Sequence, residues 1–139
     1  MTADEQLAKA LGAVAREQIE KRGRFSALAG VVDARGELRI DALDVALEPD
    51  ALHDALVALL RERARQREIV ASAICMQAII DCDEGQSYDA ISLEVETADG
   101  RAKRRLTPWR KPLLRRVRFG RDIVEDGEPQ VFPGRELCA

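Results

Sequence analysis

The sequence predicts one α+β domain: an antiparallel sheet of about five strands with two helices packed on it, in the order α-β-β-α-β-β-β. Three observations carry this. Two segments, 3–22 and one opening at Pro49, place apolar residues at helical spacing between end signals. Two tight turns, Asp33-Ala34-Arg35-Gly36 and Asp99-Gly100, stand between stretches that alternate apolar and polar. A run from Ile69 to Ile80 is too β-branched and too continuous for a surface helix. Hairpins joined by helices argue for a sandwich with both helices on one face of the sheet.

The first helix has both ends marked. Thr2 and Glu5 form a capping-box pattern, in which hydroxyl and carboxylate each satisfy an orphan amide. Leu7, Leu11, Val14, Ala15 and Ile19 share one face, Lys21 and Arg22 suit the negative end of the dipole, and Gly23 supplies the left-handed stop. Next, Phe25 to Val32 reads as a strand, and Leu38, Ile40 and Leu43 alternate with charged residues on a half-exposed partner. Pro49 and Asp50 open the second helix, whose buried stripe is Leu52, Leu56, Leu59 and Leu60 and whose last turns hold Arg61, Arg63, Arg65 and Arg67.

The 69–80 run is expected to be a central strand, bulged and covered on both faces. Ile91, Leu93 and Val95 point inward in the next strand, leaving Ser92, Glu94 and Glu96 on an exposed face. With Asp99 and Gly100 as a two-residue turn, Glu96 would oppose Lys103 and Glu94 would oppose Arg105, each pair adding roughly 0.2–1 kcal/mol. Beyond Pro108, prolines and glycines leave a short strand near 114–119 and another near 130–132. The domain is therefore drawn as 1–121, with 122–139 an extended arm packed on the domain or on a neighbour.

Composition narrows the function classes. The chain has 139 residues, 46% of them hydrophobic and 34% charged, enough for a core without disulfides or metal. No apolar run has membrane-helix length, and the first 22 residues are too charged for a signal peptide, so a cytoplasmic protein with no membrane association is expected. Three cysteines without paired spacing fit a reducing compartment. Cys75 and Cys82 are expected as core or strand-edge thiols and Cys138 as exposed.

The most distinctive feature is 101–121, which holds Arg101, Lys103, Arg104, Arg105, Arg110, Lys111, Arg115, Arg116, Arg118 and Arg121 with no acid among them. The segment carries +10, so the rest of the chain carries −13 to reach the net −3. With Trp109 and Phe119 for stacking it could bind nucleic acid or another polyanion. Alternate strand residues point to opposite faces, however, and Glu94, Glu96, Asp122, Glu125, Asp126 and Glu128 are near enough to pair with some of the cations. A solvated or self-paired face comes first, a protein's acidic surface second and nucleic acid third.

Catalytic sets are not evident. Asp81, Asp83 and Glu84 before Gly85 offer hard oxygen ligands, but the twelfth position from Asp81 is Ser92 rather than a bidentate Glu, so a polar turn is expected. His53, the only histidine, lies in the first turns of the second helix and reads as a partly exposed helix residue. Gly30 and Gly36 lack the downstream residues of a phosphate loop. Glu94 and Glu96 share a strand face, yet ion pairing accounts for them without acid/base chemistry.

Several residues together resemble a family of small uncharacterised bacterial proteins of this length: Asp33 with Gly36-Glu37-Leu38, Asp89-Ala90-Ile91, Glu94 and Glu96 before Gly100, Pro108-Trp109-Arg110-Lys111, Phe119-Gly120, Pro129 and Phe132. The resemblance covers 25–132 and implies a single bacterial cytoplasmic domain, with no activity, cofactor or catalytic residue attached. The element order is also similar to profilin-like and roadblock-like domains and, more loosely, to some secretion chaperones, an architectural likeness that fixes no function.

The sequence thus points to a non-enzymatic protein-protein interaction module without cofactor or metal. Its sheet edge, or its arm with Val131, Phe132 and Leu137, would dock on a second copy as a homodimer or on another protein. Binding would draw on Arg101, Lys103, Arg104, Arg105, Trp109, Arg110, Lys111, Arg115, Arg116 and Arg118. The alternative is a polyanion or nucleic-acid binder through the same segment and the arginines of the second helix, and a small enzyme or metal-dependent protein comes third.

Overall fold

The computed structural model describes residues 1–43, 47–81, 85–112 and 116–132. Its elements are α1 (Ala3–Arg22), β1 (Ala27–Asp33), β2 (Leu38–Leu43), α2 (Pro49–Arg65), β3 (Ile69–Asp81), β4 (Ser87–Thr97), β5 (Ala102–Arg110), β6 (Arg118–Phe119) and β7 (Ile123–Asp126). The strands form one antiparallel sheet in the order β2-β1-β3-β4-β5-β6, with β7 also on β5. The α+β class is therefore as expected, with seven strands among the described residues rather than about five. β6 pairs Trp109 and Arg110 while β7 pairs 103–106, so the two are pieces of one broken edge strand.

The end signals of α1 work as the sequence reads. The Glu5 carboxylate accepts the Thr2 amide at 3.4 Å, and Gly23 closes the helix in the left-handed region at φ 73, donating to Ile19 O at 2.7 Å. Leu7, Leu11, Ala15 and Ile19 are fully buried and pack on Leu28, Val32, Ala71, Ala73, Cys75, Ile91, Leu93, Val95 and Trp109. Each large aliphatic side chain in that layer contributes roughly 1.5–3 kcal/mol. Gly30 lets α1 approach β1: a Cβ there would lie 2.6 Å from Leu11 Cδ1.

Leu52, Leu56 and Leu60 of α2 pack with Val31, Ile69, Ile74 and Val131 in a second cluster. Val31 follows directly on Gly30, and Ile74 lies between Ala73 and Cys75, so neighbours along β1 and β3 serve different clusters. Neighbouring strand residues point to opposite faces, and the helices therefore cover opposite faces of the sheet. This corrects the one-face sandwich: β1, and β3 as far as Cys75, are continuous apolar runs because both of their sides are covered. Beyond Met76 alternate residues of β3 are exposed, Ile79 by 68%, so this half of the strand expected to be doubly covered is not. Leu59 is also corrected, lying 59% exposed, and Arg67 falls beyond α2 with φ 57.

β3 is bulged as expected. Val32 pairs with Ala71 and Asp33 with Ile69, so Val70 is skipped and Ile69 is turned into the α2 layer. The β4–β5 turn differs by one residue from the sequence expectation. Thr97 N–H donates to Arg101 O and Gly100 N–H to Thr97 O, with Gly100 at φ 98, a three-residue loop. Glu94 consequently opposes Arg104, and Glu96 opposes Ala102 rather than Lys103.

Candidate interaction surface

Alternation along β5 separates the basic residues onto two faces. Arg105, Thr107 and Trp109 share the α1 side with their partners Leu93, Ile91 and Asp89, while Arg104, Leu106, Pro108 and Arg110 take the other. Register with the edge strand then decides which charges are paired. Lys103 opposes and bonds Asp126, and its ammonium holds that carboxyl below the usual carboxylate range. Arg104 opposes Glu125, with Nη1 3.5 Å from Oε1, and Arg105 Nε lies 3.9 Å from Asp122. Arg101 Nη1 lies 3.7 Å from Asp4 of α1, and its Nε 3.4 Å from Asp99.

Asp122 is where the edge strand breaks. Its Oδ1 accepts Thr107 Oγ1 at 2.7 Å and lies 3.6 Å from Arg16 Nη2 of α1. Gly120 N–H donates to Pro108 O at 2.7 Å just before it. The Arg16 guanidinium also lies over the Phe119 ring, 4.9 Å from its centroid. One carboxylate thus ties β5, the strand break and α1 together.

The rest of the basic segment is built differently. Arg110 and Arg118 oppose each other directly across β5 and β6, both exposed. Neither they nor Lys111, Arg116 and Arg121 has an acidic partner among the described residues. Arg115 lies outside the described residues. Beside the two arginines is a cleft of about 370 Å³ lined by Ile80, Tyr88, Pro108, Trp109, Phe119 and Ile123. Like charges placed opposite on paired strands repel, so Arg110 and Arg118 make the mouth of an apolar cleft electropositive. Trp109 itself is only 7% exposed, and Arg16 covers one face of Phe119, so neither offers the open ring that base stacking requires.

The α2 side holds two residues whose environment the sequence reading missed. Glu96 is 7% exposed rather than solvent-facing: Oε1 accepts the amides of Gln130 at 2.7 Å, Val131 at 2.9 Å and Phe132 at 3.3 Å, and Oε2 accepts Val131 at 3.1 Å. Arg61 Nε and Nη2 donate to Gln130 O at 3.0 and 2.7 Å, completing the clamp from α2. Glu94 is half-buried, with Oε2 3.1 Å from His53 Nε2, so the lone histidine joins the start of α2 to β4. A burial signal for Glu96 was present in the apolar Val131 and Phe132, but it needed knowledge of where they land.

The Cys75 thiol is fully buried, and burial pushes its pKa up to about 12, far from a reactive thiolate. The acidic turn around Asp83, together with Cys82, Cys138 and Leu137, lies outside the described residues. Among the described residues no helix is long and apolar enough to cross a membrane. No protein-family model, curated protein or solved structure matches this chain, and its function is read from its geometry.

Proposed function

We propose that this protein is a non-enzymatic protein-interaction module that binds an acidic segment carrying an apolar side chain at the β5–β6 end of its sheet. The carrying observation is the opposed pair Arg110 and Arg118, without an acidic partner among the described residues, at the mouth of the apolar cleft. A carboxylate between two guanidiniums would relieve their repulsion and be held by charge-assisted hydrogen bonds. An aliphatic or aromatic side chain beside it would fill the cleft, whose size suits one or two residues rather than a large cofactor. Charge alone would serve a polyanion equally well; the apolar lining and the scarcity of open rings favour the peptide.

The test uses the single tryptophan, Trp109, which lines the cleft. Fluorescein-labelled peptides of alternating Glu and Leu or Phe, a Glu-only peptide of the same charge and a single-stranded DNA of the same charge are titrated against the protein. The expected result is saturable binding of the mixed peptide, a change in Trp109 emission, weaker binding of the Glu-only peptide, and loss of binding in folded Arg110→Glu and Arg118→Glu variants. Equal binding of all three probes, falling steeply with salt, would instead establish a polyanion binder. Binding unchanged by either substitution would move the site elsewhere.

A further inference from the structure

The opposite edge of the sheet carries a different signal. β2 has β1 as its one strand neighbour among the described residues. Asp33 N–H donates to Glu37 O at 2.9 Å, which marks 33 and 37 as a hydrogen-bonded pair. Antiparallel pairing alternates along the strand, so Arg39, Asp41 and Leu43 also turn their amides and carbonyls toward β1. Leu38, Ile40 and Ala42 turn theirs outward, to an edge that no strand among the described residues covers. The side chains of Leu38 and Ile40 are only partly buried against the α1 layer, and Arg39 and Asp41 project on the other face, both exposed.

From this edge we infer that two copies of the chain join β2 to β2 about a twofold axis, with Ile40 opposite Ile40 of the second copy. Only outward residues can exchange backbone bonds, which leaves a short choice of antiparallel registers. With Leu38 opposite Ile40, Arg39 would meet Arg39 and Glu37 would meet Asp41, two kinds of repulsion. With Ile40 opposite Ala42, Asp41 would meet Asp41. Centring on Ile40 places Arg39 opposite Asp41 twice, once on each side of the axis, while Leu38 meets Ala42 and Ile40 meets itself on the α1 side. Charged residues on an edge strand usually discourage pairing; here the Ile40-centred register is self-complementary and its two neighbours are repulsive, while Leu38 opposite Leu38, which would set Glu37 against Arg39, leaves most of β2 unpaired. Arg39 already lies 3.6 Å from Glu37 of its own strand, so the join would extend an acid-base-acid row across the axis. The two sheets would become one, with the peptide-binding clefts at its far ends, and the inference does not depend on those clefts.

Sedimentation velocity of the full chain over a concentration series tests this, with Arg39→Asp, Asp41→Arg and the double swap carrying both. Either single substitution replaces two attractive pairs by two repulsive ones and is expected to weaken the dimer by roughly tenfold or more. The double swap restores opposite charges and should restore dimerisation. All three changes are at exposed positions, and circular dichroism checks that they fold. A monomer at every concentration, a dimer indifferent to the single substitutions, or a double swap no better than the singles would each overturn the inference. Hydrogen exchange gives a second reading: in the dimer the amides of Leu38, Ile40 and Ala42 become as protected as those of Arg39 and Asp41, and unchanged exchange in a sample shown to be dimeric would place the interface on another surface.

Discussion

The two halves of the basic segment are both basic and free of acids, and they have opposite surroundings. In 101–106 each cation has a carboxylate: β7 brings Glu125 and Asp126 into register with Arg104 and Lys103, Asp122 just before β7 lies 3.9 Å from Arg105, and Arg101 meets Asp4 and Asp99. In 110–121 the returning chain is itself basic, and Arg118 meets Arg110. A run of like charges is thus resolved by what pairs with it, residue by residue. The first half is structural, and the second is left with charge to offer a partner.

The largest expected effect that would sharpen this contrast lies beside the paired half. Glu96→Ala removes the acceptor of three buried or half-buried amides and should cost about 3 kcal/mol in urea unfolding; a loss below about 1 kcal/mol would mean the clamp is not structural. Asp122→Ala stands at the junction of the halves and removes the partner of Thr107, Arg16 and Arg105. It should cost about 1–2 kcal/mol and speed amide exchange in β6 and β7.

The smallest effect is the most discriminating. Arg104→Glu, which would face Glu94 and Glu125, should destabilise by roughly 0.2–1 kcal/mol, whereas Arg118→Glu, which would face Arg110, should stabilise by a similar amount. The same substitution with opposite sign in the two halves is the signature of the contrast. Equal signs in denaturant midpoints would break it.

Local chemistry was legible where it was sufficient. The bounds of α1 follow from Thr2, Glu5 and Gly23, and the bulged β3, doubly covered as far as Cys75, follows from its β-branched run, which does not tell that Ile79 ends up exposed. The β4–β5 hairpin was legible in place but not in register, since Asp99-Gly100 serves a two-residue or a three-residue loop and only Gly100's left-handed role is common to both. Glu96 was misplaced because period-two alternation assigns a face and cannot say whether something distant covers it. Ile123 and Val124 gave too short a signal for β7, which is held by antiparallel pairing with β5, with Lys103 and Arg104 beside its acids. The helices' opposite faces depend on chain crossovers, which no local pattern contains. Of the candidate site, the cations were legible; the cleft beside them needed Tyr88, Trp109 and Phe119 brought together from three strands.

Glu96 and its amides are 35 residues apart along the chain. At about 5–20 residues per second of synthesis, several seconds separate the emergence of the carboxylate from that of Val131, which completes the α2 cluster. During that interval the α1 side of the sheet gains its own last buried member, Trp109, and is complete before Val131 is made. The α2 side lacks Val131 until then, and Leu52, Leu56 and Leu60 have only Val31, Ile69 and Ile74 to pack on. Completion of the α2 layer therefore waits on one residue made well after the rest of its cluster.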